Sequence, residues 1–209
     1  MKKILKKIVR FIAFKYGKPR FLYIKICGPS SIEHADFLRL HGGFFSIGEL
    51  TAVNISANIP DPSYVRIGRN CTLSACTLLG HDGVVRILNN QYGTKLDSVG
   101  SIDIRDNCFV GHGSIVMPNV VIGPNSIVAA GSVVTKNVPP GAIVGGNPAK
   151  IIGNTTDLVK RLQDRTNAYP WHQLIEKRED PFDREIEPIL REMRIKYFYG
   201  EDAAPSSSS

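Results

Sequence analysis

The chain has 209 residues, 43% of them hydrophobic and 22% charged. That length buries a full core, and no apolar run reaches the roughly 18 residues that a membrane-spanning helix needs. The formal net charge is +7, yet nine cations and no acid fall within residues 1–25, leaving seventeen cations against nineteen acids elsewhere. A basic character so localised does not mark the body of the protein as nucleic-acid-binding.

In chain order, residues 1–26 form a basic amphipathic segment, with a helix expected from Met1 to about Tyr16. Ile4, Leu5, Ile8, Phe11 and Ile12 alternate there with Lys2, Lys3, Lys6, Lys7 and Arg10. Such a helix either lies in the interface of an anionic membrane or packs against the body with its lysines solvated. Residues 27–46 carry turn signals at Gly28-Pro29 and Gly42-Gly43 and are expected to form an irregular cap.

From Ile47 an unusual period begins. Ile104, Val110, Val116, Ile122, Val128 and Val134 recur every six residues, each followed four places on by Cys108, Ser114, Val120, Ser126, Ser132 or Val138. Neither a helix nor an alternating strand has that period. Short strands that turn a corner every six residues, with aliphatic residues inside and Gly, Asn or Pro outside, make a parallel β-helix with three hexapeptides per coil. The spacing extends backwards through Ile67, Leu73 and Leu79 with Cys71 and Thr77, and through Ile47, Val53 and Ile59 with Thr51, Ala57 and Ser63. Val65-Arg66 offsets it by two residues, and residues 82–100 interrupt it as an extruded loop whose run Val84–Leu88 is expected to pack back on the solenoid or on a neighbouring subunit. The solenoid domain spans residues 27–153. Residues 154–209 read as short helices followed by a disordered tail over Ala203–Ser209. The four cysteines show no metal-type pairing, and Cys71 and Cys108 occupy inward positions, so buried thiols in a reducing cytoplasm are expected.

Three stretches carry a family resemblance: Val110-Gly111-His112-Gly113-Ser114, the run Ile122 to Lys136, and Val144-Gly145-Gly146-Asn147-Pro148-Ala149-Lys150. Over residues 47–153 the chain resembles the hexapeptide-repeat acyltransferases, and among them the bacterial saccharide O-acetyltransferases. The resemblance implies a left-handed β-helix, a homotrimer, acetyl-CoA as donor in a cleft between subunits, and direct transfer to a hydroxyl with no metal ion. The expected acceptor is a cell-envelope saccharide such as a capsule, O-antigen or exopolysaccharide precursor. The expected location is the cytoplasm, with peripheral contact at the inner face of the membrane if the first helix binds lipid.

A sugar hydroxyl must lose its proton as it attacks, and a neutral imidazole is the natural acceptor near pH 7. His81 ends a hexapeptide immediately before the extruded loop, where the family pattern places its catalytic histidine. Asp82 is a candidate orienting group, although adjacent residues of an extended chain point to opposite sides; Glu33 and Asp36 are alternatives from the cap. Asn54 lies where relatives keep an acceptor-contacting asparagine. The resemblance assigns Phe109, Gly111, His112 and Ala130 to the pantetheine arm of acetyl-CoA, and Thr135, Lys136 and Lys150 to its phosphates. Two rival readings share this pattern: N-acetylation of an amino sugar, and a non-catalytic trimeric scaffold, which His81 would not serve.

Overall fold

A computed structural model of the chain describes residues 2–179 and 182–200. Residues 203–209, expected to be a disordered tail, lie outside the described residues. The chain divides into two compact units, residues 1–156 and 157–209.

The first unit opens with three helices, α1 (Lys2–Tyr16), α2 (Arg20–Cys27) and α3 (Ser31–His41). Residues 31–41, expected to be irregular, are helical because Ser30 caps the start, its hydroxyl accepting the Glu33 N–H at 3.2 Å. Glycine after His41 ends the helix, and Ala35, Phe37 and Leu38 are its buried side. Phe14 meets Tyr23 and Phe37 edge-on, and Tyr23 stacks on Phe37 at 5.0 Å, so an aromatic core joins all three helices.

The solenoid follows. Its first coil holds β1 (Ser46–Ile47) and β2 (Ala52–Val53), and its second β3 (Val65–Ile67), β4 (Thr72–Leu73) and β5 (Thr77–Leu78). The helix α4 (Val84–Tyr92) is then extruded. The third coil holds β6 (Ile102–Ile104), β7 (Phe109–Val110) and β8 (Ile115–Val116), and the fourth β9 (Val120–Ile122), β10 (Ile127–Val128) and β11 (Val133–Val134). The strands β12 (Ala142–Gly145) and β13 (Lys150–Asn154) close the array. Three parallel faces result, β1-β3-β6-β9, β2-β4-β7-β10-β12 and β5-β8-β11, with β13 added antiparallel to β12.

The interior is the aliphatic column that the period marks out. Ile67, Leu73, Ile104, Val110, Val116, Ile122, Val128 and Val134 are all buried, and burial of each such side chain is worth about 1.5–3 kcal/mol. One position departs from the expected spacing. Leu78, not Leu79, pairs with Val116 and is buried, and Cys76, not Thr77, takes the small inward place. The corner at Ser74–Cys76 is one residue shorter than its counterpart Gly111–Ser114, and a slip of one residue exchanges inside for outside. The expected inward place of Ser63 likewise falls in a 3₁₀ turn, Pro62–Tyr64, after which Val65 re-enters the core.

At the corner between the first and second faces, Asn70, Asn107 and Asn125 adopt left-handed backbone conformations. Their amides hydrogen-bond in a ladder, Asn70 to Asn107 at 2.9 Å and Asn107 to Asn125 at 3.0 Å. Asparagine tolerates this conformation better than most residues, which explains its recurrence there.

The extruded segment is a helix, not an irregular loop, because the apolar residues Val84, Ile87 and Leu88 sit three and four apart. No residue of α4 is fully buried within the protomer; of the run Val84–Leu88, Val85 and Leu88 are half-buried and the rest exposed. Asn89 closes the turn after α4, its side-chain oxygen accepting from the Leu96 N–H at 2.7 Å.

The second unit contains α6 (His172–Glu176), α7 (Ile186–Tyr199) and most of α5 (Thr155–Ala168). It is built on an aromatic cluster in which Tyr169 stacks on Trp171 at 4.5 Å and Tyr197 meets both rings edge-on. Glu187 of α7 pairs with Arg178 and Arg194.

Candidate active site

His81 stands at the corner between the third and first faces, where the second coil leaves the solenoid. The segment that departs and returns is pinned at its base: His81 and Val99 form an antiparallel bridge, and the Asp82 N–H donates to Ser98 O at 2.9 Å. The backbone of His81 is therefore fixed by the excursion that follows it.

Its side chain is fixed by the coil before. His81 Nδ1 lies 2.6 Å from Asp61 Oδ2, at the same corner one coil earlier. The carboxylate is 21% exposed and the imidazole 50%, so the ring faces solvent while its partner is largely enclosed. A carboxylate accepts only, so Nδ1 carries the hydrogen, and in the neutral ring the lone pair is then on Nε2. Gly80 makes the approach feasible: a Cβ there would stand 2.7 Å from Asp61 Cβ.

Asp61 is a residue that sequence reasoning missed. Asp82, expected as the orienting group, turns the other way, its carboxylate accepting the Val84 N–H at 3.0 Å at the start of α4. Neighbours in an extended chain project to opposite sides, so Asp82 cannot share the face of His81. The cap residues are also engaged elsewhere, Glu33 with Arg10 and Tyr23, Asp36 with Arg39. The available signal was register: in a solenoid, residues one coil apart at one corner are neighbours in space.

Asn54 sits at the corner between the second and third faces of the first coil, where its side-chain oxygen accepts the Ser56 N–H at 2.9 Å. Its corner differs from that of His81, and within one protomer the two are not brought together. Gly111, His112 and Ala130 gather at that same type of corner in the third and fourth coils, where the Gly131 N–H donates to His112 O at 2.8 Å. His112 and Ala130 are exposed. Gly111 is consumed by the corner itself: its N–H donates to Val128 O at 2.9 Å, and its carbonyl accepts the Ser114 hydroxyl at 2.7 Å. A Cβ on Gly111 would stand 2.5 Å from the Ala130 nitrogen, so glycine is required there for coil stacking, and its N–H, engaged within the coil, is not available to the pantetheine arm to which the resemblance assigns Gly111.

Phe109 projects outward from β7, 40% exposed, in register with Thr72 and Ile127. Thr135 and Lys136 are exposed at the corner that carries His81, two coils on, which at the ordinary strand separation is about 10 Å along the solenoid axis. Lys150 is exposed at the start of β13. Among the described residues no group of three or more His, Cys, Asp or Glu could hold a metal ion.

The solenoid of hexapeptide coils is the feature that this chain shares with a class of bacterial transferases. Residues 101–136 match the family model described as bacterial transferase hexapeptide (six repeats). YvoF of Bacillus subtilis (strain 168) is 29% identical over 161 residues, 76% of this chain and 84% of that protein. Galactoside O-acetyltransferase of Escherichia coli (strain K12) is 29% identical over 56% of this chain and 57% of its own length. Protein CapG of Staphylococcus aureus is 45% identical over 44% of this chain and 54% of its own. Among solved structures, a galactoside acetyltransferase in complex with coenzyme A is similar with a TM-score of 0.46 and 23% identity, over 76% of this chain and 83% of that one. The chain is similar to the hexapeptide-repeat acetyltransferases, whose repeat it carries over residues 101–136, and its solenoid is a left-handed parallel β-helix. The aligned segments span little more than half of the galactoside enzyme and of CapG.

Proposed function

We propose that this protein transfers the acetyl group of acetyl-CoA to a hydroxyl of a cell-envelope saccharide, such as a capsule, O-antigen or exopolysaccharide precursor, with His81 as general base. The observation that carries this reading is the 2.6 Å contact between His81 Nδ1 and Asp61 Oδ2, which in the neutral ring puts the lone pair on Nε2. In the reaction Nε2 takes the acceptor hydroxyl proton as the oxygen attacks the thioester carbon. The tetrahedral intermediate then collapses, the carbon–sulfur bond breaks, and the proton passes from the imidazolium to the leaving CoA thiolate. Asp61 holds the ring in one tautomer and faces the positive charge that develops on it.

The donor would lie along Phe109, His112 and Ala130, with Thr135, Lys136 and Lys150 toward its phosphates. His81 and the His112 corner are different edges of one protomer, which fits a cleft completed by a second copy in a homotrimer. Four buried free cysteines accord with a reducing cytoplasm, where acetyl-CoA is available. The saccharide acceptor is supported by the name of one relative, galactoside O-acetyltransferase.

The test is CoA release from acetyl-CoA with a panel of saccharide acceptors, for wild type and His81→Ala in parallel. The expected result is acceptor-dependent release that falls by about 10²- to 10⁴-fold in the variant. Release that is equal in the two proteins removes His81 from the chemistry.

A further inference from the structure

The helix α1 has two sides. Val9 and Ala13 are buried in the core that includes Tyr23, Cys27 and Phe37. Lys2, Lys3, Lys6, Lys7 and Arg10 lie on and around that side, Lys6 Nζ reaching Cys27 O at 3.5 Å. The other side, with Ile4, Leu5, Ile8, Phe11, Ile12 and Tyr16, follows the spacing of one helical face and is exposed, Ile4 and Phe11 each at 65%. Packing and display of an apolar face, alternatives in the sequence, thus coexist on different sides of one helix.

The displayed face is held outward by contacts elsewhere on α1. Arg10 makes a two-point pair with Glu33 of α3 at 2.7 and 3.2 Å. His41 Nε2 lies 2.7 Å from Phe14 O, and the Tyr23 hydroxyl donates to Glu33 at 2.9 Å. The next helix continues the character: Phe21 is 72% exposed, with the Lys25 ammonium 5.6 Å from its ring. Lys15 lies over both Phe11 and Tyr16, at 5.7 and 5.2 Å, the arrangement of a long side chain that follows an apolar surface and lifts its charge to the edge.

We infer that this face docks on an anionic lipid bilayer, with Ile4, Ile8, Phe11 and Ile12 entering the acyl boundary and the lysines of α1 and α2 meeting the headgroups. Charge decides between lipid and a second copy as the occupant. Residues 1–25 hold nine cations and no acid, so pairing two such faces opposes like charges, whereas a negative surface neutralises them. Among the described residues no helix is long and apolar enough to cross a membrane, so the contact is interfacial. The inference is independent of the catalytic reading.

The experiment is co-sedimentation of the full chain with vesicles of pure phosphatidylcholine and of phosphatidylcholine mixed with phosphatidylglycerol, at low and high salt. Wild type is compared with Ile8→Glu/Phe11→Glu and with Lys3→Glu/Lys7→Glu, all at exposed positions, after circular dichroism confirms the fold. Wild type should bind the anionic vesicles about tenfold or more tightly than the neutral ones, with salt weakening the binding, and both variants should lose it. Equal partition to both vesicle types, or binding unchanged in both variants, overturns the inference. So does a larger wild-type oligomer in solution that Ile8→Glu/Phe11→Glu dissolves, which would assign the face to a second copy of the chain.

Discussion

An imidazole tied at one nitrogen has a defined task at the other, and at His81 the tie comes from Asp61 across one coil. The proposed base was legible because a histidine at the end of a hexapeptide, immediately before the period breaks, stands out against aliphatic repeats. Asp61 was not, since it lies twenty residues earlier in a segment where the repeat is irregular, and the pairing emerges only when the coils are stacked. Gly80 is the positioning residue of this arrangement. Gly80→Ala would drive a methyl against Asp61 and part the carboxylate from the ring, with little change to the aliphatic interior. We expect Gly80→Ala and Asp61→Asn each to lower kcat by about tenfold or more while the KM for acetyl-CoA changes little, read by steady-state CoA release. A loss confined to KM would show that Asp61 serves binding and not the base.

At the level of elements, the six-residue period is a report on side-chain direction, and it was readable wherever the corners kept a constant length. It failed at Leu78 and Leu79 because one corner is a residue shorter, a change that leaves composition and spacing nearly untouched. The helices α3 and α4 were obscured for another reason: each is short and surrounded by turn residues, and α4 buries no side chain that would have imposed a strong pattern. The columns inside the coils are less tolerant. Ile122 is fully buried at the crossing of β9 with the inward stack, and Ile122→Ala should cost about 2–5 kcal/mol in chemical denaturation of the solenoid.

The cap has a titration of its own. His34 of α3 is buried, Nδ1 lies 2.9 Å from Val53 O, and the Arg20 guanidinium stands near the other ring nitrogen. Burial, with a smaller contribution from Arg20, holds its pKa below the ordinary 6.5. The unfolded chain therefore takes up this proton first: the contribution of neutral His34 to stability is complete above about 6.5 and declines as pH falls below it. The melting temperature should drop between pH 7.5 and 5.5, and His34→Gln, which does not titrate, should flatten that dependence.

For the whole molecule, the solenoid sets what the chain can display and where. Corners carry the proposed chemistry, faces carry the stacking, and the end of the array carries α1 with its apolar arc outward. The solenoid architecture was apparent from periodicity alone. The distribution of tasks among its corners was not, because it depends on which residues of successive coils coincide. The same logic applies to the ends. Arg39 of α3 donates from Nε to Ile47 O at 2.9 Å and from Nη2 to Gly48 O at 2.8 Å, and His34 covers Val53 O, while β13 runs against β12 in the opposite direction. A stack of parallel coils is otherwise an open template, able to accept the first strand of another molecule on its last. With three backbone acceptors of the first coil occupied by side chains and the closing strand reversed on one face, head-to-tail growth of one molecule on another into fibres is disfavoured.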